Sequence, residues 1–261
     1  MKDKELKYAA ALSSVMVLRM MGLFLILPVF VVLAVDVPGY SAQAAGLAGG
    51  IYGLTQAVLQ QPFGWLSDRF GRKPLLLIGL ALFAAGGVIA AQAENMTWVI
   101  VGRALQGCGA IAGVVMSLAA DISRPERRPL VMAIIGMGIG GAFLLSMVLS
   151  VPLASLLGLS GLFWLTTALA VAGFIVVVAL PKARVVEEPP ATHTRQIDMR
   201  PVWLLSLSVF LLHAAMTLLF VSFPPLLVSG LGLELAAHWI LYVPAMLISV
   251  VIMLPILRQA G

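Results

Sequence analysis

Charge is what this sequence has least of. Asp, Glu, Lys and Arg make up 10% of its 261 residues, against roughly 25% in ordinary soluble domains. With 61% hydrophobic residues and a mean hydropathy of +1.07, a soluble globular domain is excluded. Cysteine is nearly absent, and the lone Cys108 rules out a disulfide framework within the chain. The apolar runs show no polar–apolar alternation, so they are not β-barrel strands. The glycine-rich stretches never end in Gly-Lys-Ser/Thr, which removes a phosphate loop. With no metal-ligand cluster and no nucleophile constellation, the sequence predicts neither an enzyme nor a metal site nor a bound cofactor.

What is there is a series of continuous apolar runs. They fall at 10–35, 42–65, 74–93, 97–120, 130–156, 161–180, 201–221 and 236–257, each near the ~20 residues needed to cross a bilayer core as a helix. Lys2, Lys4 and Lys7 ahead of the first run imitate a signal peptide. That run continues past Pro28 to Val35 without a small-residue cleavage site, so it reads as an uncleaved first span. Of the sixteen Lys and Arg, all but Arg19 and Arg103 fall on the side shared by the N-terminus, the even-numbered connections and Arg258. The positive-inside rule then places both termini in the cytoplasm. This bias accounts for the net charge of +5 and the pI near 9.7, so no nucleic-acid surface is required. The connection at 181–200 holds Pro181, Pro189, Pro190 and Glu187-Glu188 and reads as a polar linker between a unit at 1–180 and one at 201–261. The chain stops just past its eighth span, which predicts a fragment or a truncated product.

The stretch 64–74 is the most informative. Gly64-Trp-Leu-Ser-Asp68-Arg69-Phe-Gly71-Arg72-Lys73-Pro74 forms a short basic hairpin between spans two and three. Gly71 can adopt positive φ and turn the chain, and Gly64 lets a neighbouring helix approach closely. The pattern G-x-x-x-D-R-x-G-R-K in this slot resembles the signature loop of the major facilitator superfamily. Gly102-Arg103-Ala-Leu-Gln106-Gly107 in span four is similar to that family's R-x-x-Q-G motif, and a linker after span six is where the family joins its two six-helix halves. Leu18-Arg19-Met-Met-Gly22 and Ile51-Tyr52-Gly53-Leu-Thr-Gln56 resemble the YajR-like efflux carriers. The Gly-Pro pair that ends span five in the drug-antiporter branch is replaced here by Val151-Pro152.

The resemblance implies an all-α polytopic membrane protein: a complete N-terminal six-helix bundle plus the first two helices of a second bundle. It implies that Asp68 engages a helix of the second half in the outward-facing state. It also implies that the adjacent Arg69 contacts an acid at the cytoplasmic end of span four, the place Asp121 occupies. Arg103 would help to couple proton movement to transport.

Other candidates come from the residues themselves. Arg19 and Arg103 lie inside spans, where a guanidinium costs roughly 2.5–3.5 kcal/mol on insertion scales. Each must therefore face a cavity or satisfy itself structurally, and Arg19 sits near enough to the helix end for snorkelling. Gln106, one turn from Arg103, projects to the same side. Tyr52, Gln56 and Gln60 recur every four residues as a polar stripe, facing either a substrate path or interhelical hydrogen bonds. Gly46, Gly50 and Gly53 in span two suit close helix packing, as do Gly136 and Gly140 in span five. His213 and Thr217 either line the path from the second unit or serve structure. No span interior holds a carboxylate, which leaves Asp36 and His213 as titratable candidates for proton coupling. The expected function is proton-linked efflux of a small molecule by alternating access. The expected setting is a bacterial inner membrane, with the lipid bilayer and a small-molecule substrate as partners, the proton as the candidate coupling ion and a monomer as the full-length state. Uptake of a sugar, amino acid or organic acid, and a truncated product that transports nothing, remain alternatives; the two buried arginines favour anionic or neutral substrates.

Overall fold

The computed structural model describes residues 2–180 and 199–234, with scattered positions between 237 and 248. Eight helices are described: α1 (Lys2–Phe24), α2 (Phe30–Leu33), α3 (Ala42–Phe70), α4 (Arg72–Ala91), α5 (Met96–Cys108), α6 (Ala112–Ile122), α7 (Arg128–Ala179) and α8 (Met199–Leu231). The predicted linker and most of the predicted eighth span lie outside the described residues.

Two spans that hydropathy reads as continuous are broken. The first stops at Phe24 and resumes as α2 at Phe30, because Pro28 lacks the N–H that would continue the ladder. The fourth breaks between α5 and α6. Gly109 takes φ −73°, ψ 52°, and Ala110 N–H and Ile111 N–H bond to the carbonyls of Cys108 and Gly109, the spacing of inverse γ-turns. The predicted spans five and six are the two helical arms of the stretch labelled α7, which meet at a kink where Gly158 adopts φ 63°, ψ −174°. The run doubles back there, since Val131 and Ile135 from its start share one core with Val177 from its end. Span seven continues to Leu231 rather than ending near 221, passing through Pro224 and Pro225. Prolines are tolerated in membrane helices where neighbours satisfy the freed carbonyls.

Among the described residues, five stretches are long and apolar enough to cross a membrane: Glu5–Phe24, Arg72–Ala91, Met96–Ile122, Pro125–Ala179 and Phe210–Leu231. The 29-residue α3 is as long but more polar, because it carries the Tyr52–Gln60 stripe. Ser41 Oγ accepts from Ala44 N–H at 3.0 Å and starts α3. Gly71, with φ 94°, turns α3 into α4 as predicted.

The bundle is built in three layers along its axis. Near the basic end, Leu12 and Met16 of α1 pack with Phe63, Leu76, Val115 and Ile135. Near the opposite end, Phe30, Ala48, Ala90, Met96, Val151 and Phe163 form a second core. Between them, Tyr52, Phe83 and Ala170 make a thin middle cluster, and the buried Arg19, Arg103, Gln106 and Thr166 gather at that level.

Glycine packing differs from the expectation. A Cβ on Gly46, Gly50, Gly53, Gly64, Gly136 or Gly140 would meet nothing within 4 Å among the described residues. Ala45, Ala48 and Tyr52 form the buried side of α3, and the glycine face points away from it; among the described residues its neighbour is Val221 of α8, 4.0 Å from a Cβ on Gly49. In α7 it is Gly138 that meets α1, against Ser13 Oγ. Gly136 and Gly140 are both about 200° round the helix from it. Close backbone crossings lie between α3 and α5, where a Cβ on Gly107 would collide with Tyr52 O, and between α4 and α5. A Cβ on Gly86 would sit 2.5 Å from Gly102 O, and one on Gly102 2.6 Å from Gly86 O.

Candidate functional site

The middle layer is assembled from five helices, α1, α3, α4, α5 and α7. Arg19 of α1 is 1% exposed and Arg103 of α5 is 2% exposed, so neither snorkels to an end. Arg19 Nη2 donates to Tyr52 Oη at 3.3 Å, Gln56 Oε1 at 2.9 Å and Gly109 O at 3.1 Å, and its guanidinium stands 5.9 Å from the Phe83 ring centroid. The carbonyl that it reaches at Gly109 is one that the break between α5 and α6 frees from the helical ladder. The end of α5 also presents the negative pole of its dipole to this guanidinium.

Arg103 occupies the other side of the same tyrosine. Its Cζ lies 4.6 Å from the Tyr52 ring centroid, within cation–π range. Nη1 donates to Gln106 Oε1 at 3.1 Å and Nε to Ala48 O at 3.4 Å. Gln106 Nε2 passes the chain on to Thr166 Oγ1 at 3.3 Å in α7. The predicted Arg103–Gln106 pairing is thus present, and Tyr52 joins it to Arg19. Thr55, which sequence reasoning missed, donates to Ala104 O at 3.0 Å and ties α3 to α5. Its position one turn from Tyr52 was the available signal.

Of the polar stripe on α3, Tyr52 and Gln56 serve interhelical hydrogen bonds, while Gln60 lies against α6, its Nε2 2.7 Å from where a Cβ on Gly113 would stand. Asp36 is exposed in a 3-10 turn near the non-basic end and is not part of this layer. Thr217 is half-buried in α8. His213 falls on the same helix, and its side chain is outside the described residues.

The hairpin at the basic end forms a second polar centre, and one expected contact is corrected. Arg72, not Arg69, pairs with Asp121: Nε stands 3.0 Å from Oδ2. Arg72 also pairs with Asp68 and donates to Ser67 Oγ at 2.6 Å. The positive φ of Gly71 directs the first residue of α4 back toward the end of α6. Arg69, still on α3, lies exposed over Trp65 and Phe70, its Cζ 5.9 and 5.7 Å from their centroids. Lys73 Nζ caps the end of α7, donating to Val178 O at 2.9 Å and Leu180 O at 2.5 Å. Glu5 bridges Arg124 and Arg127 at 3.3 and 3.4 Å.

Known proteins share this architecture. The inner membrane transport protein YajR of Escherichia coli is 41% identical over 245 residues, which cover 91% of this chain and 54% of YajR. An uncharacterized transporter of Buchnera aphidicola is 35% identical over 255 residues, 94% of this chain and 64% of that protein. The chain therefore spans between half and two thirds of the length of these relatives. Among solved structures, a bacterial homolog of the human lysosomal transporter Spinster, in an inward-facing and unoccupied conformation, superposes with a TM-score of 0.72 at 17% identity over 91% of this chain and 58% of that one; at that identity the likeness is one of fold. The profile of the Major Facilitator Superfamily matches residues 12–259. A buried polar layer between two apolar cores, a basic signature hairpin and these likenesses agree: the chain is an all-α, multi-pass membrane protein of the major facilitator superfamily.

Proposed function

We propose that this chain works in secondary active transport of a small molecule by alternating access, most simply as proton-linked efflux across a bacterial inner membrane. The observation that supports it most is the middle layer. Two arginines buried at mid-bundle are costly in a protein that only has to stand in a bilayer. Here they are held by a hydrogen-bonded network at a broken helix, the kind of place where carriers put substrate and ion sites. The hairpin supports the same reading, since Arg72 ties the α3–α4 turn to the end of α6 and leaves Asp68 62% exposed at the bundle end. In this reading Asp68, Arg72 and Asp121 form the gate, Arg103 and Gln106 the coupling element, and both termini face the cytoplasm.

The test is flux in proteoliposomes, measured with an imposed proton gradient and without one. Gradient-dependent export that disappears in Asp68→Asn and Arg103→Gln is the expected result. Equal flux with and without the gradient would replace proton coupling by facilitated movement. No flux from a correctly inserted chain would overturn the transport reading.

A further inference from the structure

We propose that the layer formed by Arg19, Tyr52 and Arg103 is a binding site for a small monoanion, with carboxylate-bearing organic anions as the substrate class. This deepens the transport reading and rests on it for the word substrate, but the site itself is argued from charge and geometry.

The first observation is a charge imbalance. Arginine stays protonated in proteins, so Arg19 and Arg103 place two positive charges on either side of one tyrosine ring, with Arg19 at its hydroxyl and Arg103 over its face. Buried charge is retained where it is paired. Among the described residues no acid is available for that pairing. The eleven Asp and Glu are Asp3, Glu5, Asp36, Asp68, Glu94, Asp121, Glu126, Glu187, Glu188, Asp198 and Glu234. Each falls at the N-terminus, in a connection or at the end of a span. Glu5, Asp68 and Asp121 already hold arginines of the basic end, and Asp36, Glu94, Glu126 and Glu234 are exposed.

The second observation concerns Arg19 alone. A guanidinium has five N–H donors. All three described hydrogen bonds of Arg19 are donated by Nη2. Nε and Nη1 are buried and meet no acceptor among the described residues. A buried donor of a charged group left unsatisfied is expensive, and an anion relieves both the unmet donors and the unpaired charge at once.

Access is short. Gln56, which covers Nη2, is only half-buried, and its neighbours Gly53 and Ala57 are exposed. The guanidinium therefore lies one side chain below the surface that α3 presents. The apolar Phe83 ring beside it suits the hydrocarbon part of an organic anion better than a hydrated ion.

The test is binding to the full chain purified in detergent, read as the thermal unfolding midpoint against sodium benzoate and, separately, sodium chloride. A saturable rise of about 3 °C at tenfold excess over Kd is expected with benzoate and a smaller one with chloride. Gln56→Glu places a carboxylate next to Arg19 in nearly the same volume. It should raise the midpoint without salt and remove the benzoate response. Arg19→Lys keeps the charge but not the planar set of donors, and should weaken apparent affinity about tenfold. A chloride response at least as strong as that to benzoate would overturn the organic substrate class. Identical, non-saturating shifts in the wild-type chain, Gln56→Glu and Arg19→Lys would overturn the site. Because the readout is binding, absence of flux in proteoliposomes would sink the transport reading while leaving the anion site standing.

Discussion

The crossing of α4 and α5 allows one substitution to be followed in detail. Gly86→Ala puts a methyl group 2.5 Å from both Gln106 N and Gly102 O, roughly 1 Å short of the ~3.5 Å at which heavy atoms pack. Both atoms belong to the backbone, so no side chain can swing aside, and the two helices must separate by a comparable distance. A gap of 0.5–1 Å forfeits about a quarter to a half of each contact's attraction along the interface. The cost therefore falls at the upper end of the overpacking range, about 3 kcal/mol. At about 2–4 °C per kcal/mol for a chain of this size, the unfolding midpoint in detergent should fall by ~6–12 °C. Gly50→Ala is the internal control. Its methyl group meets nothing within 4 Å among the described residues, and the better helix propensity of Ala gains about 0.5–1 kcal/mol. The same chemical change in neighbouring helices should thus shift stability in opposite directions. If Gly50→Ala lowers the midpoint as far as Gly86→Ala does, the assignment of packing and non-packing glycines is wrong. Gly86→Ala and Gly102→Ala act at one crossing, so the double variant should cost clearly less than the two single costs added together.

Further outcomes follow from the basic end and the polar layer. Arg72→Gln and Asp121→Asn should show a coupling of about 0.5–1 kcal/mol in a double-mutant cycle of thermal stability, whereas Arg69→Gln should stay within about 0.5 kcal/mol of the wild type; a coupling between Arg69 and Asp121 instead would reverse the pairing described above. Lys73→Met removes the cap on Val178 O and Leu180 O and should cost about 1 kcal/mol, with faster amide exchange confined to the last turn of α7 as the local signature. Gly71→Ala forces a side chain into φ 94° and should cost ~1–3 kcal/mol, seen as a lower midpoint with unchanged membrane insertion. Gln106→Leu leaves Arg103 Nη1 and Thr166 without their shared partner; a loss of about 1–3 kcal/mol is expected, measured by the same unfolding assay.

Hydropathy was enough to order the spans, because a run of apolar residues needs only length to be recognised. It was blind to the breaks at Pro28 and Gly109, since a residue that leaves the helix is as apolar as its neighbours. The pair Arg103–Gln106 was legible because helical spacing fixes which side chains within one helix meet. The junction of Arg19 with Tyr52 and Gln56 was visible only as two halves, a buried cation and a polar stripe. Periodicity gives the face of a helix but not the helix opposite it. The glycines illustrate the same limit: Gly46, Gly50 and Gly53 have the spacing of a packing seam, yet α5 meets α4 through Gly86 and Gly102, and no local pattern separates the two sets. At the hairpin, the family resemblance implied Arg69 as the partner of Asp121, and the turn at Gly71 handed that contact to Arg72.

The middle layer also has an electrical consequence. Two fixed positive charges held halfway between the apolar cores stand inside whatever voltage the membrane carries. Moving one charge through the whole potential is worth about 2.3 kcal/mol per 100 mV. A rocking motion that takes both arginines through a tenth of the field would shift the balance between its end states by about 0.5 kcal/mol per 100 mV, a little over twofold. A bound monoanion would halve that dependence. The resting potential of the cell would then act on the empty protein more strongly than on the loaded one, so voltage would bias which end state the emptied site favours.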